Sequence, residues 1–205
     1  LDTLTSSDNI TYTGTFTPST DIDDTSNIVT VLHTTPNNIE DLSGNDLAAS
    51  VSSANYTIDT LAPTVSSVTI TSATGAVSDT LNTGDVVTAT VTMNANVVVT
   101  STPELSLNIG GSTVQAIYDA ANSTATALLF NYTITTETDT DGISIDANSL
   151  GLSGGTIKDT SGNSATLTHS SVAANTSYLV ETTAPTVSSF TSTTSNISYN
   201  AGEAI

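Results

Sequence analysis

Apolar residues recur along this chain with a period of two, over short runs rich in Val, Ile, Leu and Thr. In Ile10-Thr11-Tyr12-Thr13-Gly14-Thr15-Phe16-Thr17, alternation puts Ile10, Tyr12 and Phe16 on one face and threonines on the other, as in a half-buried strand. Ile28–Leu32 and Tyr56–Ile58 read the same way. Further strands are expected at 65–71, 85–93, 104–109, 113–118, 125–135, 143–147, 164–168 and 177–181. Between them lie turn clusters such as Asp21-Ile22-Asp23-Asp24 and Asp41-Leu42-Ser43-Gly44-Asn45. No helical period persists for two turns. Short β-branched strands with Gly, Asn and Asp turns predict an all-β chain built as an antiparallel sandwich.

The pattern also repeats. Asp21 and Asp139 lie 118 positions apart, as do Asp23 and Asp141, Asp41 and Asp159, and Asn45 and Asn163. Tyr56 and Tyr178 lie 122 apart, as do Asp59 and Glu181, and Pro63 and Pro185. Asn200-Ala201-Gly202-Glu203-Ala204-Ile205 follows Asn82-Thr83-Gly84-Asp85-Val86-Val87 at 118. A period this long suits a domain with its own core rather than a solenoid unit of roughly 20–50 residues. The expected organisation is the later part of one domain at 1–60, a complete domain at 61–182, and the start of a third at 183–205, within a longer polypeptide. Each joint carries an acid and then Ala-Pro. Proline fixes its own φ and extends the residue before it, so the joints read as stiff.

Charge narrows the partners. Twenty acidic residues face one basic residue, Lys158, for a net charge of −19. Nucleic acid is excluded, because its binding requires a basic surface that neutralises phosphates, and anionic lipid on the same ground. There is no cysteine, so no disulfide or thiolate metal site contributes. No apolar run approaches the ~20 residues of a membrane helix.

Some acids are grouped as hard oxygen ligands for calcium would be. Asp139-Thr140-Asp141-Gly142 resembles the first half of a calcium loop, although it is also an ordinary Asp-rich turn. If residues 143–158 act as one strand, strand parity places Asp159 and Asn163 at the outgoing pole of the central domain beside Glu181. The same count sets Asp139 and Asp141 at the incoming pole, near Asp41, Asn45 and Asp59. Those eight residues are the candidate calcium ligands. No catalytic or organic cofactor site is expected. Gly151-Leu152-Ser153-Gly154-Gly155 fits the serine-hydrolase pattern, but that motif needs a strand-to-helix elbow. His33 and His169 have no motif around them and are expected to be solvated. The threonines 11, 13, 15 and 17 read as an ordinary exposed strand face.

The runs Leu4–Pro18, Asp41–Asn45, Asp59–Pro63, Leu81–Asp85, Gly154–Asn163 and Thr182–Pro185 resemble bacterial immunoglobulin-like repeats of giant secreted adhesins and biofilm-associated surface proteins. The resemblance implies a tandem immunoglobulin-like sandwich acting as a structural spacer at the cell surface or in an extracellular fibre, with joints stiffened by calcium. Its expected partners are adjacent repeats of the same or neighbouring chains, with self-association into fibres. The alternatives are a carbohydrate-binding module or a component of a surface-layer lattice.

Overall fold

The computed structural model describes residues 4–34, 39–191, 198 and 200–202. Among them there is no helix. The first four strands are β1 (Asp23–Asn27), β2 (Thr30–Val31), β3 (Val51–Ser52) and β4 (Tyr56–Asp59). β1 pairs with β4 antiparallel, with Asp23 opposite Asp59, and β2 pairs with β3. Ten more follow: β5 (Val65–Thr74), β6 (Thr80–Leu81), β7 (Val86–Met93), β8 (Val98–Thr100), β9 (Glu104–Ile109), β10 (Ser112–Tyr118), β11 (Ala127–Thr133), β12 (Leu150–Gly151), β13 (Thr156–Lys158) and β14 (Leu179–Val180).

A six-stranded antiparallel sheet in the order β12-β9-β10-β11-β7-β5 forms one layer of the central sandwich. The short pairs β13-β8 and β14-β6 complete its framework. The β14-β6 pair and the Thr64–Thr166 bridge are parallel, local exceptions to the antiparallel rule. Burial alternates residue by residue along β7 and β9, the period of a strand with one face on a core. Val87, Ala89, Val91, Leu105, Leu107, Ile109, Leu128 and Phe130 fill that core, joined from loops and short strands by Leu81, Ile143, Ile145, Ile157 and Val180. Burying a large aliphatic side chain contributes about 1.5–3 kcal/mol, so this cluster dominates the stability of the central unit.

Residues before Pro63 are different: none of those described is fully buried. The strand expected at Ile10–Thr17 is not formed, and its one pairing is the bridge from Thr13 to Thr5. The equivalent run 118 positions on is β11, held between β10 and β7. The described residues of 4–60 include no counterpart to those two neighbours, and a strand without neighbours has nowhere to place its amides and carbonyls. The threonines there consequently form no sheet face. β1, which contains Asp23 and Asp24 of the expected turn cluster, is a strand because β4 supplies its ladder. The run 143–158 is not one strand either. Ser144 and Leu150 both align against β9, and a turn at Leu152–Gly155, where the Gly155 amide donates to the Leu152 carbonyl, then passes the chain to β13, which pairs with β8.

Candidate functional site at the joint

Only Leu61 and Ala62 separate a residue tied to the first strands from one tied to the central sandwich. On one side, the Thr60 amide donates to the Ile22 carbonyl (2.7 Å) and its hydroxyl to the Ser19 carbonyl (2.8 Å). On the other, the Thr166 amide donates to the Pro63 carbonyl (2.8 Å) and the Val65 amide to the Thr166 carbonyl (3.3 Å). The Thr64 amide reaches the Asn94 side-chain oxygen (2.7 Å), and Pro63 itself is buried.

Asp59 crosses this joint. Its carboxylate accepts the Ser161 hydroxyl (2.7 Å), and Asn163 Nδ2 donates to the Asp59 carbonyl (3.2 Å) and Oδ1 (3.3 Å). The loop presenting Ser161 and Asn163 is closed by Asp159, whose Oδ1 accepts the amides of Ser161 and Asn163 and whose Oδ2 accepts Asn163 Nδ2. Burial pushes the Asp159 carboxyl up, but these hydrogen bonds outweigh it and hold it below its ordinary value. The same loop is built at 41–45, bond for bond. Asp41 Oδ1 accepts the amides of Ser43 and Asn45, and Oδ2 accepts Asn45 Nδ2. The Asn45 side chain leads the bonds that lower the Asp41 carboxyl.

Asp159 and Asn163 therefore stand at the incoming pole with Asp59, not at the outgoing pole with Glu181. Asp139 and Asp141 stand at the outgoing pole instead, where Asp139 exchanges two backbone hydrogen bonds with Val180. The poles are exchanged because the run 164–181, parallel to Thr64 at Thr166 and to β6 at β14, crosses the sandwich once instead of folding back between its two expected strands. Asp139 is buried, and its oxygens accept the amides of Gly110 (2.7 Å), Asp141 (3.1 Å) and Gly142 (2.8 Å). Glu181 accepts the Thr183 amide and donates its own amide to the Leu81 carbonyl.

Of the eight candidate ligands, Asp59 and Asp159 are brought to one side chain, Asn163, which donates to both. Asp23, Asp59 and Asp159 also line one cavity of about 180 Å³ together with Asn94, Asn96 and Thr160. Among the described residues no three or more acidic or histidine side chains are grouped so as to hold a metal ion. Sequence reasoning passed over Ser161 and Asn94. The signal for Ser161 was its counterpart Ser43 at the same place in the earlier loop, whereas nothing in the sequence marked Asn94.

The hydrolase-like segment is a turn: Ser153 has φ 46°, and its hydroxyl donates to Glu104. His169 is half-buried rather than solvated. Its Nε2 accepts the Ser149 amide (2.9 Å), and Nδ1 lies 2.9 Å from the Ser170 carbonyl. Among the described residues no helix is long and apolar enough to cross a membrane.

Residues 1–58 match the family model described as Bacterial Ig-like domain. No curated protein and no solved structure matches the chain. The chain is all-β with an immunoglobulin-like antiparallel sandwich, and its first 58 residues carry the signature of a bacterial module of that class.

Proposed function

We propose that this chain is a spacer: a stretch of tandem immunoglobulin-like modules, divided at 1–60, 61–182 and 183–205, that holds its neighbours at a fixed spacing in a secreted cell-surface adhesin or extracellular fibre. The observation that carries this reading is the joint. A linker with only two residues between its anchor points and a side-chain bridge across it (Asp59 to Ser161 and Asn163) resists bending, as a spacer requires. Its role is mechanical, and no catalytic step is proposed. The charge of −19 suits a surface that stays soluble and repels its like.

Calcium belongs to the proposal as an added stiffener. Asp23, Asp59 and Asp159 would supply the carboxylate oxygens, since they line one cavity. The donor set is hard oxygen, as calcium requires. The fit is poor: among the described residues no three acids are grouped so as to hold a metal ion, so the cavity would have to draw these carboxylates closer, and Asp59 and Asp159 already accept hydrogen bonds within the joint. The cation would chiefly offset the repulsion between those acids.

Two measurements test the reading. Asp59→Ala should increase the bending of the joint seen by small-angle scattering and leave the melting of the central sandwich within about 0.5 kcal/mol, because its core lies elsewhere. Binding to the folded form alone raises stability by about 2.7 kcal/mol at a hundredfold excess of ligand over Kd, so calcium should raise the melting temperature and a chelator reverse it. An unchanged melting curve removes calcium from the account. An unchanged scattering profile in Asp59→Ala removes the joint.

A further inference from the structure

The central sandwich is entered and left by two segments that run the same way. The chain comes in through Pro63 and Thr64 and continues along β5. The run 164–181, parallel to Thr64 at Thr166 and to β6 at β14, carries it from the incoming pole to the outgoing one. Tension applied through the two joints therefore pulls the start of one segment and the end of the other in opposite directions, each along its own axis. Hydrogen bonds between strands cross from one strand to the next. A pull along a strand strains all of them together, whereas a pull across it opens them one after another.

Both segments are held from two sides. At the entry, the Thr166 amide donates to the Pro63 carbonyl and the Val65 amide to the Thr166 carbonyl, while on the other side the Asn94 amide donates to the Thr64 carbonyl (3.0 Å). At the exit, the amides of Leu179 and Glu181 donate to the carbonyls of Asp79 and Leu81, each at 2.9 Å. On its opposite side Val180 exchanges amide and carbonyl with Asp139 (2.9 and 2.8 Å), and the Thr182 hydroxyl donates to the Glu137 carbonyl (2.9 Å). The exit segment has little freedom to slide. Leu81 and Val180 are 0% and 1% exposed, and the Asp139 carboxylate is pinned by the amides of Gly110 and Gly142.

The two holds are unequal. β5 stays paired with β7 from Val65 to Thr74. The exit hold is confined to 179–182, and the run before it is fixed at separate points, Val172 to Ile145 and Tyr178 to Ile143.

We propose that β6, β14 and Asp139 form a mechanical clamp, which keeps the sandwich closed against tension along the chain and is the first part to yield. The inference rests on the spacer reading above and adds what the module does under load. A module so built is strong in one direction, the direction in which a spacer is pulled, and weaker in others. The clamp is assembled from residues distant in sequence, so it gives way only when the exit segment shears past both neighbours at once.

The test is single-molecule pulling of the full chain at constant speed. The chain has no native cysteine, so handles can be attached at introduced ones. Leu61→Cys with Thr183→Cys, both exposed, loads the sandwich through its joints. Ser112→Cys with Thr183→Cys puts both handles at the outgoing pole, because Asp139 binds the neighbouring Gly110 amide, and lifts the exit segment off across its axis. The unfolding force through the joints should be at least about twice that of the second geometry, a difference in forced unfolding rate and not in equilibrium stability. Glu181→Pro removes the amide bonded to Leu81 and should lower the force through the joints, whereas Glu181→Ala keeps that amide and should not. Thr166→Pro removes an entry amide and should change the force less than Glu181→Pro, since the β5–β7 ladder still holds. If either proline variant fails to fold, the comparison of the two directions in the chain without proline decides. Equal forces in the two directions overturn the proposal. So does a folded Glu181→Pro chain that unfolds at the parent force, or one that loses less than Thr166→Pro. None of these results touches the spacer reading, whose test is the bending of the joint without load.

Discussion

At the scale of single residues, most of the negative charge that is placed by hydrogen bonding closes turns. Asp8 accepts the amides of Thr11 and Ile10 and is held at about 2; Asp119 is lowered first by the Asn122 side chain. Asp139 is the buried extreme. It joins the β9–β10 hairpin, through Gly110, to the turn at 141–142 and to β14. Gly110 has φ 58°, and a Cβ there would lie 1.9 Å from the Thr138 carbonyl oxygen, so only glycine lets the hairpin approach. Asp139→Ala orphans three amides at this contact and should destabilise the central unit by roughly 3 kcal/mol in denaturant unfolding. Asp139→Asn keeps one acceptor oxygen and should lose less. A loss below about 0.5 kcal/mol for the alanine variant would show that the clamp carries no weight.

Among the elements, the long strands were legible in the sequence and the short ones were not. β7, β9, β10 and β11 announce themselves because one face of each meets the core, which imposes the period of two, whereas two bulges interrupt that period in β5. β8, β12 and β13 span two or three residues and owe their existence to a neighbouring strand, so nothing local marks them. The same cause separates the reading from the structure at Ile10–Thr17, where the period is present and no partner strand is formed among the described residues. The run 164–181 crosses the sandwich once, parallel to Thr64 and then to β6, where two antiparallel strands are expected, and this exchanges the poles of the candidate site. The acids were found, but half were paired with the wrong joint.

The turn after β11 gives a prediction in pH. Burial pushes Glu137 up, but the Tyr132 hydroxyl (2.6 Å) and the Thr135 amide and hydroxyl overcome it and hold the carboxyl at about 2. A folded pKa below the ordinary 4.5 means that the contribution is complete above pH 4.5 and is lost as pH falls from there through about 2. Glu137→Gln should therefore flatten part of the fall in melting temperature over that window, while differing least from wild type at the acid end. An acid limb of unchanged slope would contradict it.

For the whole molecule, the central claim is that the first strands and the central sandwich are held at one angle by the side chains bridging Asp59 to the 159–163 loop. The chain has no native cysteine, so two spin labels can be placed without removing anything. Thr57→Cys on β4 and Ser112→Cys on β10 are both exposed and lie on opposite sides of the joint. Their distance distribution, measured by pulsed electron resonance, should be a single narrow peak that broadens when Ser161 and Asn163 are both changed to alanine. A broad distribution in the parent, unaltered by those two substitutions, would contradict the account.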